Sequence, residues 1–268
     1  MVRRWSIPLL ATALTFGSML AMAGTASAAT VHHITSVHAY RPGGVIAGRH
    51  LTGHRGRFTT AESTNWSGYA VTGANGAFSS VSASWTEPTA SCSGNRRRTA
   101  QYSSFWVGLD GYSSSSVEQT GTDADCSGTT PEYYGWYEMY PAYPVNFSNT
   151  VRPGDAMSAS VTFSGTETYT LVLKDTTQGW TQTITKNQTG LARSSAEVIT
   201  EAPSSNTGVL PLADFGTVNY STSAANGTSL GSQSPTEIIM IDNSGQDKDS
   251  TSSISGSGGF SNTWIRSS

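Results

Sequence analysis

The sequence predicts an all-β protein, built as a sandwich of two sheets. After residue 60, short runs rich in Val, Ile, Thr, Tyr, Phe and Trp alternate with small polar residues, which is the period of a β-strand. Turn residues such as Gly165 and the pair Gln178–Gly179 separate these runs at short intervals, and helix signals are scarce. Many short strands joined by frequent turns are typical of a β-sandwich.

The alternation is clearest in three runs, at residues 156–163, 168–174 and 180–185. The last two are expected to form a hairpin around Gln178–Gly179. Further strands are expected at residues 67–71, 78–85, 103–109, 133–140, 196–200, 213–220, 237–241 and 260–266. Residues 244–259 are rich in Gly, Ser and Asp, so we expect a surface loop there.

The N-terminus has the composition of a secretory signal peptide. Arg3 and Arg4 precede a mostly apolar stretch over residues 7–23, and Ala26-Ser27-Ala28 is a small-x-small cleavage site. The stretch is too short to be a typical membrane span, although an N-terminal anchor and a twin-arginine signal are the alternatives. We therefore expect residues 1–28 to be removed and the product to be secreted, extracellular and not bound to a membrane.

Residues 29–60 differ in charge from the rest of the chain. They hold four arginines and all five histidines but no acidic residue, whereas the chain after residue 60 has 18 acids against nine Lys or Arg, a formal charge of −9. A basic segment directly behind an export signal is interpreted as a propeptide that inhibits the acidic body, with a disordered linker as the alternative. Residues 61–268 are expected to form one domain.

Two cysteines, Cys92 and Cys126, are present in the whole chain. In an exported protein they are expected to form a disulfide. Free or metal-binding thiols are the alternative, but no histidine follows residue 60 to complete a zinc site. The sequence therefore predicts a disulfide and no metal.

The absence of histidine after residue 60 also limits the possible chemistry. It excludes Ser–His–Asp and Cys–His catalysis within the body. No glycine-rich phosphate-binding motif is present, so no nucleotide cofactor is expected, and the acidic body argues against nucleic-acid binding. An enzyme of this composition would use a carboxyl group as its acid and base.

Five motifs that contain carboxyl or carboxamide residues follow one another along the chain. They read Trp-Val-Gly-x-Asp-Gly, Gln-Thr-Gly-x-Asp, Trp-Tyr-Glu-x-Tyr-Pro, Ala-Glu-x-Ile and Ala-Asp-Phe-Gly, at residues 106–111, 119–123, 136–141, 196–199 and 213–216. Over residues 63–220 the chain resembles the glutamic peptidases, family G1 or eqolisins. The resemblance implies two curled antiparallel sheets in a lectin-like (concanavalin A-like) jelly roll.

The resemblance also implies a catalytic pair formed by Gln119 and Glu197. Glu197 matches the family's glutamate, which acts as base and then acid on water, and Gln119 matches the glutamine that stabilises the oxyanion. Val198 departs from the family, which often has tryptophan after the glutamate. Glu118 alternates to the opposite face of its strand and receives no role. By similarity, the residues that bind substrate or support the cleft are Trp66, Trp106, Asp110, Asp123, Glu138 and Tyr140.

The expected function is therefore that of a monomeric acid endopeptidase, which acts on polypeptides without a cofactor. Crowded carboxyls repel one another and raise each other's pKa, which favours an acidic working range. One alternative is a glycoside hydrolase that uses Glu138 with Glu197. The other is a carbohydrate-binding module whose stacking faces are Trp66, Trp106 and Trp136. Only the peptidase requires Gln119.

Overall fold

A computed structural model describes residues 59–93 and 99–268. The expected signal peptide and all but the last two residues of the expected propeptide lie outside the described residues, so both stay predictions. Within those residues the chain is almost entirely β-strand and turn, and its helical content is one short 3₁₀ segment, Leu230–Ser232. No described helix is long and apolar enough to cross a bilayer.

The first sheet has eight strands and carries the candidate site. β1 pairs parallel with β16, and the other neighbours in this sheet are antiparallel. In order across the sheet, the strands are β1 (Thr60–Ser63), β16 (Thr236–Met240), β2 (Trp66–Thr72), β11 (Ser195–Glu201), β4 (Ser104–Leu109), β5 (Val117–Ser127), β6 (Thr130–Tyr140) and β7 (Val145–Asn146).

The second sheet covers the inner face of the first. A separate two-stranded hairpin consists of β12 (Ser204–Ser205) and β13 (Gly208–Val209). In order, the second sheet contains β10 (Trp180–Asn187), β9 (Thr168–Asp175), β8 (Ala156–Phe163), β3 (Ser80–Thr86), β14 (Thr217–Ala225), β18 (Phe260–Trp264) and β17 (Asp249–Thr251), with β15 (Thr228–Ser229) paired to β14.

The core lies between the two sheets and follows the period of two. On β3, Val81, Ala83 and Trp85 are buried, while Ser82 between them is exposed. From the first sheet, the inner face contributes residues such as Phe105 and Val107 of β4. The expected all-β sandwich is confirmed, and so is the hairpin of β9 and β10, in which Asp175 pairs with Trp180.

The disulfide between Cys92 and Cys126 is present, as expected. It ties the segment after β3 to the end of β5. The prediction of a surface loop over residues 244–259 is wrong in part, because this segment contains β17 and buries Lys248 and Asp249. The Asp249 carboxylate accepts hydrogen bonds from Ser67 and Asn262, and these contacts hold the segment inside the protein.

Candidate active site

One row of residues crosses four neighbouring strands of the first sheet. Glu197 of β11 pairs with Gly108 of β4, Gly108 pairs with Gln119 of β5, and Gln119 pairs with Glu138 of β6. Directly paired residues of an antiparallel sheet point to the same face. The fold therefore places the side chains of Glu197, Gln119 and Glu138 together on the outer face of this sheet.

Glu197 and Gln119 lie on either side of Gly108, and the interval between their side chains is called the gap over Gly108; the edge of the Trp106 ring packs into it. With one strand between them, their backbones lie about 10 Å apart, since neighbouring strands are about 4.8 Å apart. A Cβ atom at residue 108 would lie 2.8 Å from a ring carbon of Trp106 and 3.3 Å from Cβ of Gln119. A side chain at residue 108 would therefore collide with the Trp106 ring, on the face that carries Glu197 and Gln119.

The Gln119 carboxamide is held by Glu138. Nε2 of Gln119 donates a hydrogen bond to Oε2 of Glu138 over 2.5 Å. Oε1 of each residue is buried and has no hydrogen-bond partner. Burial raises the pKa of Glu138 to about 9, against the opposing effect of the Gln119 hydrogen bond, so Glu138 is neutral in acid. This contact fixes the direction in which the Gln119 amide group points.

Glu197 is fully buried in the row and carries a raised pKa. Burial is the main cause, and the nearby carboxyls of Asp110 and Glu118 raise the pKa further. The Ser195 hydroxyl and the Tyr112 backbone N–H lie near enough to favour the ionised form. Neither carboxyl oxygen of Glu197 has a hydrogen-bond partner of normal geometry.

Asp110 lies in the turn after β4, where its backbone adopts a positive φ of 69°. Its carboxylate accepts hydrogen bonds from the backbone N–H of Arg193 at 2.6 Å and of Ser194 at 3.0 Å. These two residues lead directly into β11. Asp110 therefore holds the start of the strand that carries Glu197.

A pocket lies beside the row, on the same face. Its floor includes Trp136, whose Nε1 donates to Asp123 over 2.6 Å, and Tyr134 donates to the second oxygen of Asp123 over 2.9 Å. The residues that line the pocket are Ser104, Gln119, Asp123, Trp136, Glu138, Pro144, Glu201 and Pro203. The pocket thus combines apolar surface with hydrogen-bonding groups.

The tryptophans of this face are buried and form its support. Trp66 and Trp106 are 0% exposed and meet edge to face, with ring centroids 5.0 Å apart, while Trp136 is 6% exposed. None of the three presents a ring face for a sugar to stack on. Tyr140, at the end of β6, is half-buried and packs against the same cluster.

Comparison with known proteins decides the family. The family model "Peptidase A4 family" matches residues 64–264, about three quarters of the chain. The chain belongs to this family of glutamic peptidases. Among curated proteins, the peptidase is 29% identical over 201 residues to aspergillopepsin-2 from Aspergillus niger, a match that covers 67% of this chain and 70% of that protein.

Solved structures agree with this assignment. The peptidase is similar to scytalido-glutamic peptidase in complex with a peptide-based transition-state analogue, with a TM-score of 0.63, 28% identity and coverage of 75% of this chain and 98% of that one. It is also similar to aspergilloglutamic peptidase from Aspergillus niger, with a TM-score of 0.54, 27% identity and coverage of 62% and 99%. The resemblance inferred from the motifs is confirmed, and the protein is a glutamic endopeptidase. The two carbohydrate alternatives are therefore set aside.

Three residues of this site in the peptidase were not predicted from the sequence. Gly108 appeared only as a motif letter, Tyr112 of the loop before β5 was not considered, and Glu201 of β11 received no role although it lines the pocket. The spacing of four between Glu197 and Glu201 on one strand indicated that both share a face. Among the described residues, no group of three His, Cys, Asp or Glu could hold a metal ion.

Proposed function

We propose that this glutamic peptidase cleaves polypeptides in acid, with Glu197 as general base and acid and Gln119 as the oxyanion donor. One observation carries the proposal: the strand register brings both side chains to one face, on either side of Gly108. The gap over Gly108 is where a water molecule and the scissile carbonyl would lie. The similar scytalido-glutamic peptidase binds a peptide-based transition-state analogue, which supports a peptide as the ligand of this chain too.

Glu197 acts first as the base. In its ionised form it takes a proton from the water, and the water oxygen then attacks the carbonyl carbon of the peptide bond. Because burial raises the pKa of Glu197, the carboxyl group holds this proton firmly through the tetrahedral intermediate. The same pKa means that the ionised fraction falls tenfold for each pH unit below it, which limits the rate at low pH.

Gln119 stabilises the negative charge that develops on the carbonyl oxygen. Its NH₂ group has two hydrogens, and Glu138 accepts a hydrogen bond from this nitrogen. The second hydrogen is left for the oxyanion. Since Glu138 also fixes the orientation of the amide, the donor is in place before the charge forms.

Glu197 completes the reaction as the acid. When the intermediate collapses, the carbon–nitrogen bond breaks and the proton on Glu197 passes to the leaving amine. The products are a carboxylic acid and an amine, and Glu197 returns to its ionised form. No group outside the described site is required for this balance.

Carboxyls that the fold keeps neutral set an upper limit on the working pH. Burial raises the pKa of Glu118 to about 9 and that of Glu201 to about 8, in addition to that of Glu138. Glu118 precedes Gln119 on β5, and its side chain points to the inner face of the sheet. As the pH rises toward these values the groups ionise inside the protein, which disturbs the strands that carry the site.

The test is digestion of an unfolded protein substrate between pH 2 and pH 7. Glu197→Gln is expected to abolish cleavage, and Gln119→Ala to lower the rate about 100- to 1000-fold, as expected for one oxyanion donor. Gln182→Ala, in the edge strand β10 of the second sheet, serves as control and should retain wild-type activity. Activity that survives in Glu197→Gln would refute the assignment, and so would full inhibition by pepstatin.

We also propose that the protein is secreted and that residues 29–60 inhibit it until it meets acid. The charge contrast supports this, since arginines of the leader would be attracted to an ionised cleft near neutral pH and released as carboxyls gain protons. Purified precursor, incubated at low pH as wild type and as Glu197→Gln, shows whether it removes the leader itself. Equal processing of both would reject self-cleavage.

A further inference from the structure

Glu201 lies on the same strand and the same face as Glu197, four residues further along. It is 5% exposed and pairs with Trp66 of β2 on one side and Ser104 of β4 on the other. Oε2 of Glu201 accepts a hydrogen bond from Nε1 of Trp106 over 2.8 Å. Oε1 accepts a longer one, 3.3 Å, from the Asn65 side chain.

The indole of Trp106 spans the distance from Glu201 to the gap over Gly108. At one end its N–H is bound to Glu201, and at the other end its six-membered ring lies 2.8 Å from where a Cβ of residue 108 would be. Trp66 supports the ring from the side, with ring planes at 77°. The edge of this ring thus forms the floor between the two groups of the proposed dyad.

We propose that Glu201 is a positioning residue for peptide hydrolysis, which acts by holding the Trp106 ring as the floor of the gap between Gln119 and Glu197. This inference rests on the proposed function of that pair. Without Glu201, the Trp106 N–H is left buried and unpaired, and a small rotation of the indole relieves this cost. Such a rotation moves the ring edge toward or away from the reacting atoms, and misplacement of this size slows chemistry more than it weakens binding.

The inner face of the sandwich supplies a matched control. Glu87 is also a buried carboxyl that accepts a tryptophan N–H, from Trp85 over 3.3 Å, together with a hydrogen bond from Thr122 over 2.5 Å. Burial raises the pKa of Glu87 to about 8, the same value as for Glu201. Loss of either carboxyl removes comparable contacts, but only Glu201 binds a tryptophan whose ring lies at the gap over Gly108.

The experiment compares steady-state kinetics of the mature enzyme on one quenched peptide at one acidic pH, with thermal unfolding of each variant. Glu201→Ala is expected to lower kcat about 10- to 100-fold while KM changes less, because the floor is misplaced and the other residues that line the pocket remain. Glu201→Gln keeps an acceptor oxygen for the indole and should recover most of kcat. Glu87→Ala should lose as much thermal stability as Glu201→Ala and keep kcat.

A second pair of variants keeps the test decisive if Glu201→Ala does not fold. Trp106→Phe lacks the N–H and should lower kcat, and adding Glu201→Leu, which removes the acceptor but fills its space, should change kcat no further. Wild-type kcat in both Glu201→Ala and Trp106→Phe, or an equal fall in kcat for Glu87→Ala, would overturn the inference. Glu197→Gln tests the proposed dyad separately from the role of Glu201. If Glu197→Gln stays active, the proposed dyad is wrong, whatever the kinetics of the Glu201 variants.

Discussion

Replacement of Glu87 by glutamine is expected to make the protein less sensitive to rising pH. Glu87 is buried between the sheets and is 1% exposed, with hydrogen bonds from Thr122 and Trp85 to one of its oxygens. Burial raises its pKa from 4.5 to about 8. Glutamine fills the same space and accepts the same hydrogen bonds, but it does not titrate.

The sign follows from the proton count of the folded and unfolded states. Below pH 4.5 the Glu87 carboxyl is neutral in both states, so titration of this group does not lower the free energy of unfolding there. Between pH 4.5 and about 8 the unfolded chain releases the proton and the folded protein keeps it, which costs about 1.4 kcal/mol for each pH unit. From pH 4.5 to pH 7, the wild type should therefore lose up to about 3 kcal/mol relative to Glu87→Gln.

Urea unfolding at pH 4, 5, 6 and 7, followed by tryptophan fluorescence, measures this difference. Both proteins should carry Glu197→Gln as well, so that self-digestion does not distort the curves. The free energy of unfolding of Glu87→Gln, minus that of the reference protein, should increase as the pH rises. A difference that stays constant from pH 4 to pH 7 would show that Glu87 is not held neutral by burial, and the reasoning for the other buried carboxyls would fail with it.

Two further predictions follow from the same structure. Replacing Cys92 and Cys126 together by serine should lower the free energy of unfolding by about 3 kcal/mol, since the disulfide closes a long loop, and urea unfolding of the inactive protein measures this. Gly108→Ala should fold but lose at least about tenfold in kcat/KM, because its Cβ meets the Trp106 ring; Gly73→Ala, whose Cβ would meet a side chain at a similar 2.7 Å, is the control that should stay active.

The strands of the second sheet could be predicted from the sequence because they alternate. On β8, the buried residues Met157, Ala159 and Val161 are apolar, and the residues between them are serines. β14 was expected at residues 213–220 but runs from Thr217 to Ala225. The segment before it contains buried Phe215 and the positive φ of Gly216, so burial there reflects packing and not strand pairing.

The site strand β5 was harder to recognise. Only the motif around Gln119 indicated a strand here, and the segment was not among the expected alternating runs, because Gln119, Asp123 and other polar side chains face outward and Glu118 faces inward. Neither face shows the apolar alternation that usually reveals a strand. Only pairing with β4 and β6 makes this segment a strand, and such pairing depends on residues far apart in the chain.

The candidate pair itself came from family motifs, and its geometry from the fold. Composition limits the chemistry to carboxyls, but it does not tell which strand lies between β5 and β11. The strand register shows that β4 lies between β5 and β11. It also places Gly108 between Gln119 and Glu197, which the motif did not suggest. The contact between Trp106 and Glu201 is likewise non-local, so no spacing along the chain announces it.

The strands that carry the row of site residues are not consecutive in the sequence. β4, β5 and β6 follow one another, but β11 joins them only after the chain has made three strands of the opposite sheet. Half of the proposed catalytic pair is therefore missing from any shorter fragment that is still emerging from the ribosome. If the proposed pair is catalytic, a nascent chain that ends before β11 is therefore expected to be inactive.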